Sequence, residues 1–246
     1  MKEQRHMKQL KGLQALALAA SLGAALPASA GLVVQSNGTV YDSDRNIYWL
    51  QNANLAATNT FGVAGIIGGA INAGMMYFAT AQSWVAAMNA ANYLGFNDWR
   101  LPTTLQPDTT CSSQAPYGPP IGTLSYGFGC AGSELGHLFY TEFGALAEKN
   151  VSSGTASEIA KFSNIQNFSY WSGTENASDT TSVWEFDFNV GAQSSAGKTD
   201  YEMYVWPVRN GGTTSPEPLP VPEPGTALLL GAGLLGLLAA SRLRRE

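Results

Sequence analysis

Charge, cysteine and histidine are all scarce in this chain. Only 13% of its 246 residues are charged, and it has two cysteines and two histidines. Of the charged residues, the positive ones are the scarcer. From Gly31 to Gly212 there are six bases (Arg45, Arg100, Lys149, Lys161, Lys198 and Arg209) against fourteen acids, a net of −8. A surface of that sign repels phosphate backbones. With no basic cluster in the sequence, nucleic acid is not an expected partner. His137 is the only histidine beyond the first thirty residues. It lies three residues from Glu134 on a predicted helix, the spacing of an acid–base pair. A lone His beside a Glu is more commonly structural, however, and no nucleophile accompanies it. Asp42, Asp44 and Asn46 alternate like the first ligands of a calcium loop. Such a loop needs Gly at its sixth position and Glu at its twelfth, where this chain has Ile47 and Ala53, so a polar hairpin turn is the better reading. No catalytic residue, metal ligand or cofactor is expected, and the chain reads as a non-enzyme.

What the chain does have is two unusual ends. Lys2, Arg5, Lys8 and Lys11 precede an apolar stretch, Leu13–Leu26, and Ala28-Ser29-Ala30 supplies small residues for cleavage. Residues 1–30 therefore read as a secretory signal peptide. Residues 213–224 form a linker, with five prolines between Ser215 and Pro224, a composition that favours extended chain. Residues 225–246 read as a transmembrane helix and an Arg-rich cytoplasmic tail. Thr226–Ala240 carries no charge, yet at about 1.5 Å per residue it reaches only ~22 Å, short of a ~30 Å hydrocarbon core. The arginines after it belong on the cytoplasmic side, which places the body of the protein across the membrane. In that oxidising setting Cys111 and Cys130 are expected to form one disulfide.

The triplet Pro222-Glu223-Pro224, the short apolar helix and the cluster Arg242, Arg244 and Arg245 together resemble a PEP-CTERM sorting signal. The resemblance implies an exosortase-type processing enzyme as a partner. It also implies a precursor held in the inner membrane with its domain in the periplasm, and a cell-surface or extracellular destination after sorting.

Residues 31–212 have the length of one domain with a sizeable core. Thr39–Tyr41 and Ile47–Leu50 read as strands around a turn. Asn54–Phe78 reads as a glycine-rich loop ending in a strand at Met75–Phe78. Thr80–Leu94 reads as a helix with Ala81, Trp84, Val85, Met88 and Ala91 on one face, Thr80 as N-cap and Gly95 closing it. Gln106–Gly129 is a proline- and glycine-rich excursion. Ser133–Leu146 reads as a second helix, capped by Ser133, with Leu135, Leu138, Phe139, Phe143 and Leu146 inward. Glu158–Ile165 is short and helical or irregular. Strands are expected at Ser169–Ser172, Ser182–Phe188 and Tyr201–Arg209, the middle one half-buried by its period-2 alternation. Gly191–Thr199 reads as a polar connection. Arg100, between Trp99 and Leu101, calls for an acidic partner from among Asp98, Glu134 and Glu185.

Several short motifs share the order of the Lcl C-terminal domain family. They are Trp49 in its strand, the Trp84 helix, Asp98-Trp99-Arg100-Leu101-Pro102, Tyr170-Trp171-Ser172, Trp184 in its strand, and Arg209 near the end of the domain. The resemblance implies an α+β, C-type-lectin-like domain, with two helices packed on short twisted antiparallel sheets. It also implies an extracellular polysaccharide as partner. The acidic charge disfavours a sulfated glycan, and the chain lacks the Glu-Pro-Asn and Trp-Asn-Asp motifs that ligate sugar through calcium. Exposed aromatics beside amides, such as Tyr117, Tyr126, Trp171 and Asn176, are the candidate sugar contacts. The competing readings are a structural matrix or biofilm component without ligand, and an enzyme related to the formylglycine-generating fold, which would need reactive cysteines.

Overall fold

A computed structural model describes residues 31–212; the signal peptide, linker, sorting motif and membrane helix read from the sequence lie outside the described residues. The domain is α+β, with two antiparallel sheets and few, short helices. Strands β1 (Leu32–Val34), β2 (Thr39–Asp42), β3 (Ile47–Leu50) and β9 (Val208–Asn210) form a four-stranded sheet in the order β1-β2-β3-β9. The second sheet has five strands in the order β4-β5-β8-β7-β6. These are β4 (Ser113–Gly118), β5 (Gly122–Phe128), β6 (Ser169–Glu175), β7 (Ser182–Asp187) and β8 (Ala192–Gly197).

The core between these elements is aromatic. Trp206 sits at its centre, with ring centroids 5.4 Å from Trp49, 5.1 Å from Phe162, 5.5 Å from Tyr170 and 5.7 Å from Phe188. Tilted and edge-on contacts of this kind suit the aromatic quadrupole. A buried indole N–H also needs an acceptor. Trp84 donates to Asn59 O, Trp99 to Tyr93 O, Trp171 to Met76 O, Trp206 to Leu50 O and Trp49 to Asp42 Oδ2. Most of these acceptors lie on loops or strand ends, so the tryptophans hold irregular chain against the sheets.

The long helix α1 runs from Phe78 to Ala90. Ala81, Trp84, Val85 and Met88 are buried on its inner face, whereas Ala91 is exposed. Its start differs from the sequence reading. Tyr77 occupies the N-cap with no side-chain bond, Thr80 lies within the first turn, and Met75–Phe78 is no strand, Met76 making one isolated bridge to Met203. The helix stops early because Asn92 takes a left-handed conformation (φ 50°), which the short polar Asn tolerates. Gly95 closes only the following 3-10 turn. Asn89, near the end of α1, exchanges two 2.8 Å bonds with the backbone of Trp99 and so fixes the Asp98–Pro102 motif to the helix.

The second helix is also shorter than its hydrophobic pattern suggests. An α-helical turn, α2 (Glu134–His137), continues as a π-helical turn over Leu138–Glu142 and ends at Phe143. Leu146 lies beyond it and is exposed. Ser133 does not cap it with its side chain, which accepts from Leu105 N and donates to Gln193 instead. A single turn, α3 (Ala156–Ile159), follows. Two strands and a hairpin also depart from the reading. Gly191–Thr199 contains β8, which pairs with both β5 and β7. The Gln106–Gly129 excursion contains the hairpin β4–β5. Tyr201–Arg209 is mostly extended chain making isolated bridges, with regular pairing only in β9. In β7, Val183, Trp184, Glu185 and Phe186 are all buried, so both faces of the strand are covered rather than one.

The ionic partners are now specific. Arg100 forms a two-pronged pair with Glu134 at 2.7 and 2.8 Å and also bonds Asn210 Oδ1. Asp98 pairs with Arg209, whose guanidinium lies 3.9 Å from the centre of the Phe96 ring. Glu185 takes neither role.

One close approach is unusually tight. A Cβ on Gly136, in α2, would stand 1.9 Å from Cys130 O. Backbone cannot yield as a flexible side chain does. Gly136→Ala is therefore expected to lower stability by about 1–3 kcal/mol, measured by urea unfolding.

Candidate functional site

The hairpin β4–β5 is tied at both ends by the Cys111–Cys130 disulfide, and a buried polar network locks it to the body. Asp108, almost wholly buried, accepts from Thr110 and from Gly132 N. Ser125 on β5 bonds Asp108 N, Gln114 and Gln106, and its carbonyl accepts from Gln193 Nε2 on β8. Satisfied networks of this kind rigidify what they join.

Against this hairpin lies a pocket of about 310 Å³. Ala115 and Tyr117 of β4 and Leu124 and Tyr126 of β5 form one side. Trp184 of β7, Ser194 and Ser195 of β8, and the turn residues Asn176 and Ser178 form the other. Tyr117 is 55% exposed and Tyr126 43%, so two aromatic faces are open to solvent. Asn176 is held in place, its amide donating to Ser195 Oγ at 3.0 Å and its Oδ1 accepting from Ser178. Trp184 differs from the other five tryptophans. Its indole N–H is buried and has no partner among the described residues, a costly condition that a ligand acceptor or a water would relieve.

Glu185 supports the pocket wall from within. Its Oε1 accepts from the Ser194 hydroxyl, while Oε2 is buried without a partner. Burial pushes its carboxyl up to about 7, opposed by the bond from Ser194 and reinforced by the charge of Asp187. A second groove, about 410 Å³, runs between α1 and the segment Trp99–Thr103. None of the exposed large aromatics lines it.

The sequence-derived sugar contacts divide. Tyr117, Tyr126 and Asn176 meet in the pocket, whereas Trp171 is fully buried and bonded to Met76 O. Trp184 and the β8 serines were not among them; the small, polar composition of β8 gives little strand signal. The other motif residues are in the core or at its edge. Trp49, Trp84, Trp99, Leu101, Pro102, Tyr170 and Ser172 are buried, and Ser172 Oγ donates to Pro102 O. His137 and Glu134 do not form an acid–base pair, since Glu134 is engaged by Arg100 while His137 faces Asp42, Asp44 and Glu142.

The chain matches the Lcl C-terminal domain over residues 38–209 and the PEP-CTERM protein-sorting motif over residues 220–245. It belongs to the Lcl C-terminal domain family. The sorting motif implies exosortase processing, with export and sorting to the cell surface. No curated protein and no solved structure matches the chain. Among the described residues no helix is long and apolar enough to cross a membrane.

The state of Glu185 gives a pH dependence with a definite sign. Its folded carboxyl titrates near 7 against an ordinary 4.5, so the folded state retains a proton that the unfolded chain has released. Its contribution is full below about pH 4.5 and is lost as pH rises to about 7. Urea unfolding across that window is expected to show a steeper loss of stability in the native protein than in Glu185→Gln.

Proposed function

We propose that the domain is a non-enzymatic binding module of C-type-lectin-like fold that takes a neutral or weakly charged glycan at the cell surface or in the extracellular matrix. The observation that carries this reading is the pocket built from Tyr117, Tyr126, Asn176 and Trp184. Open tyrosine faces stack on the C–H face of a sugar ring, while hydroxyls, an amide and a free indole N–H suit its hydroxyls. The acidic domain charge favours an uncharged ligand over a sulfated one. The disulfide between the only two cysteines supports a non-enzymatic role, because it leaves no free thiol nucleophile.

A glycan array and exopolysaccharide fractions, probed with the Gly31–Gly212 segment, test this. Tyr117→Ala and Tyr126→Ala are each expected to weaken binding about tenfold with unchanged unfolding midpoints. Failure to bind any neutral glycan or exopolysaccharide would leave a structural role in the matrix as the better reading.

The precursor is held in the inner membrane by residues 225–246, with the domain in the periplasm, until an exosortase removes the tail. Mature protein from the native host is accordingly expected to lack Arg242–Glu246. Intact-mass measurement of surface material checks this, and recovery of the full tail there would refute it.

A further inference from the structure

Near the C-terminal end of α2, four ligand-type side chains converge from two parts of the chain. Asp42 closes β2 and Asp44 lies in the turn after it, while His137 and Glu142 bracket the π turn. His137 Nε2 is 3.2 Å from Glu142 Oε1 and 4.0 Å from both Asp42 Oδ1 and Asp44 Oδ2. Residues five apart on an α-helix point about 140° away from one another. The π turn, marked by the bond from Phe143 N to Leu138 O, brings His137 and Glu142 to one side. Such turns are frequent at functional sites.

We propose that Asp42, His137 and Glu142, with Asp44 completing the set, form a binding site for a divalent cation of the zinc or manganese kind. The charge balance argues for it. Asp42 is fully buried, and the His137 and Glu142 side chains are 9% and 5% exposed. Among the described residues no Lys or Arg pairs with any of the three carboxylates, and the Arg45 guanidinium is spent on Ala131 O. Burying uncompensated carboxylates costs several kcal/mol each, and a dication offsets that cost.

The geometry is close to that of a coordination sphere. The Asp42, His137 and Glu142 ligand atoms all lie within 4.8 Å of one another. Ligands at ~2.0–2.2 Å around a tetrahedral ion stand ~3.3 Å apart, so rotamer shifts of a fraction of an ångström complete the site. Asp42 is further oriented by Arg45 N at 3.0 Å and Trp49 Nε1 at 3.4 Å, as outer-shell donors orient metal-bound carboxylates. One imidazole with oxygen ligands suits zinc or manganese better than calcium.

The test uses the full-length chain in detergent, stripped with a chelator and titrated with zinc, manganese or calcium chloride. Elemental analysis and calorimetry are expected to give one zinc or manganese ion per chain, with a raised thermal midpoint and weaker calcium binding. His137→Gln and Glu142→Gln are each expected to weaken that binding at least ~10-fold. Glu142→Gln is also expected to leave the metal-free protein as stable as the native one or more so, since it removes a repulsive charge. Asp44→Asn, in an exposed turn, serves where a buried variant fails to fold, and should weaken binding as well. Absence of stoichiometric zinc or manganese, binding undiminished in these variants, or a metal-free Glu142→Gln protein markedly less stable than the native one would overturn the proposal. The last result would show that Glu142 stabilises the metal-free fold through its contact with His137.

Discussion

A buried indole N–H is costly without an acceptor, and the bonds that five of the six tryptophans make organise the space between the two sheets. The acceptors are backbone carbonyls at Leu50, Asn59, Met76 and Tyr93 and the carboxylate of Asp42. Each bond ties a loop or strand end to the aromatic core, so a fold with little regular helix keeps its long connections in place. Hydrophobic area alone is non-directional; the N–H donors add direction. The Asp42 bond has a second consequence, because the indole that packs against Trp206 also holds the carboxylate that faces His137.

Positive charge is scarce, and several of the few cations hold the fold together. Arg100 joins the segment after α1 to α2 through Glu134 and to β9 through Asn210. Arg209 lies between Phe96 and Tyr48 while pairing with Asp98. Lys161 reaches both Glu158 and Leu32 O. Arginine suits the first two positions because its planar fork bonds two oxygens at once and stacks on rings. The carboxylates without such partners, Glu185 and the group around His137, are where titration or a ligand has most influence.

What was legible in the sequence follows from which signals are local. The inner face of α1 could be read because Ala81, Trp84, Val85 and Met88 repeat at helical spacing. The hairpin β2–β3 could be read because apolar residues flank a polar turn. Strand β8 was illegible because Ala192–Gly197 is small and polar, and its strand character comes from the two ladders on either side. The π turn was hidden for a related reason. The pattern Leu135, Leu138, Phe139 and Phe143 fits a continuous α-helix, whereas the wider turn ends with Phe143 packed on Phe162, which in turn packs on Trp206, a long-range contact that local spacing does not encode. In the pocket, Tyr117, Tyr126 and Asn176 were visible as aromatics beside amides. Trp184 was not, because nothing local distinguishes an indole with an acceptor from one without.

The placement of β9 bears on how this domain carries mechanical load. It is a three-residue edge strand, and the chain beyond Gly212 leads toward the sorting motif. Tension applied through that end reaches β9 before any other strand. Three residues of backbone pairing to β3 would peel easily. Here, however, Arg209 is clamped by Asp98 and two rings, and Asn210 by Arg100, which is itself anchored on Glu134. The pull is thereby distributed into α2 and the segment after α1, so the domain meets force from its C-terminal end as a cross-braced unit.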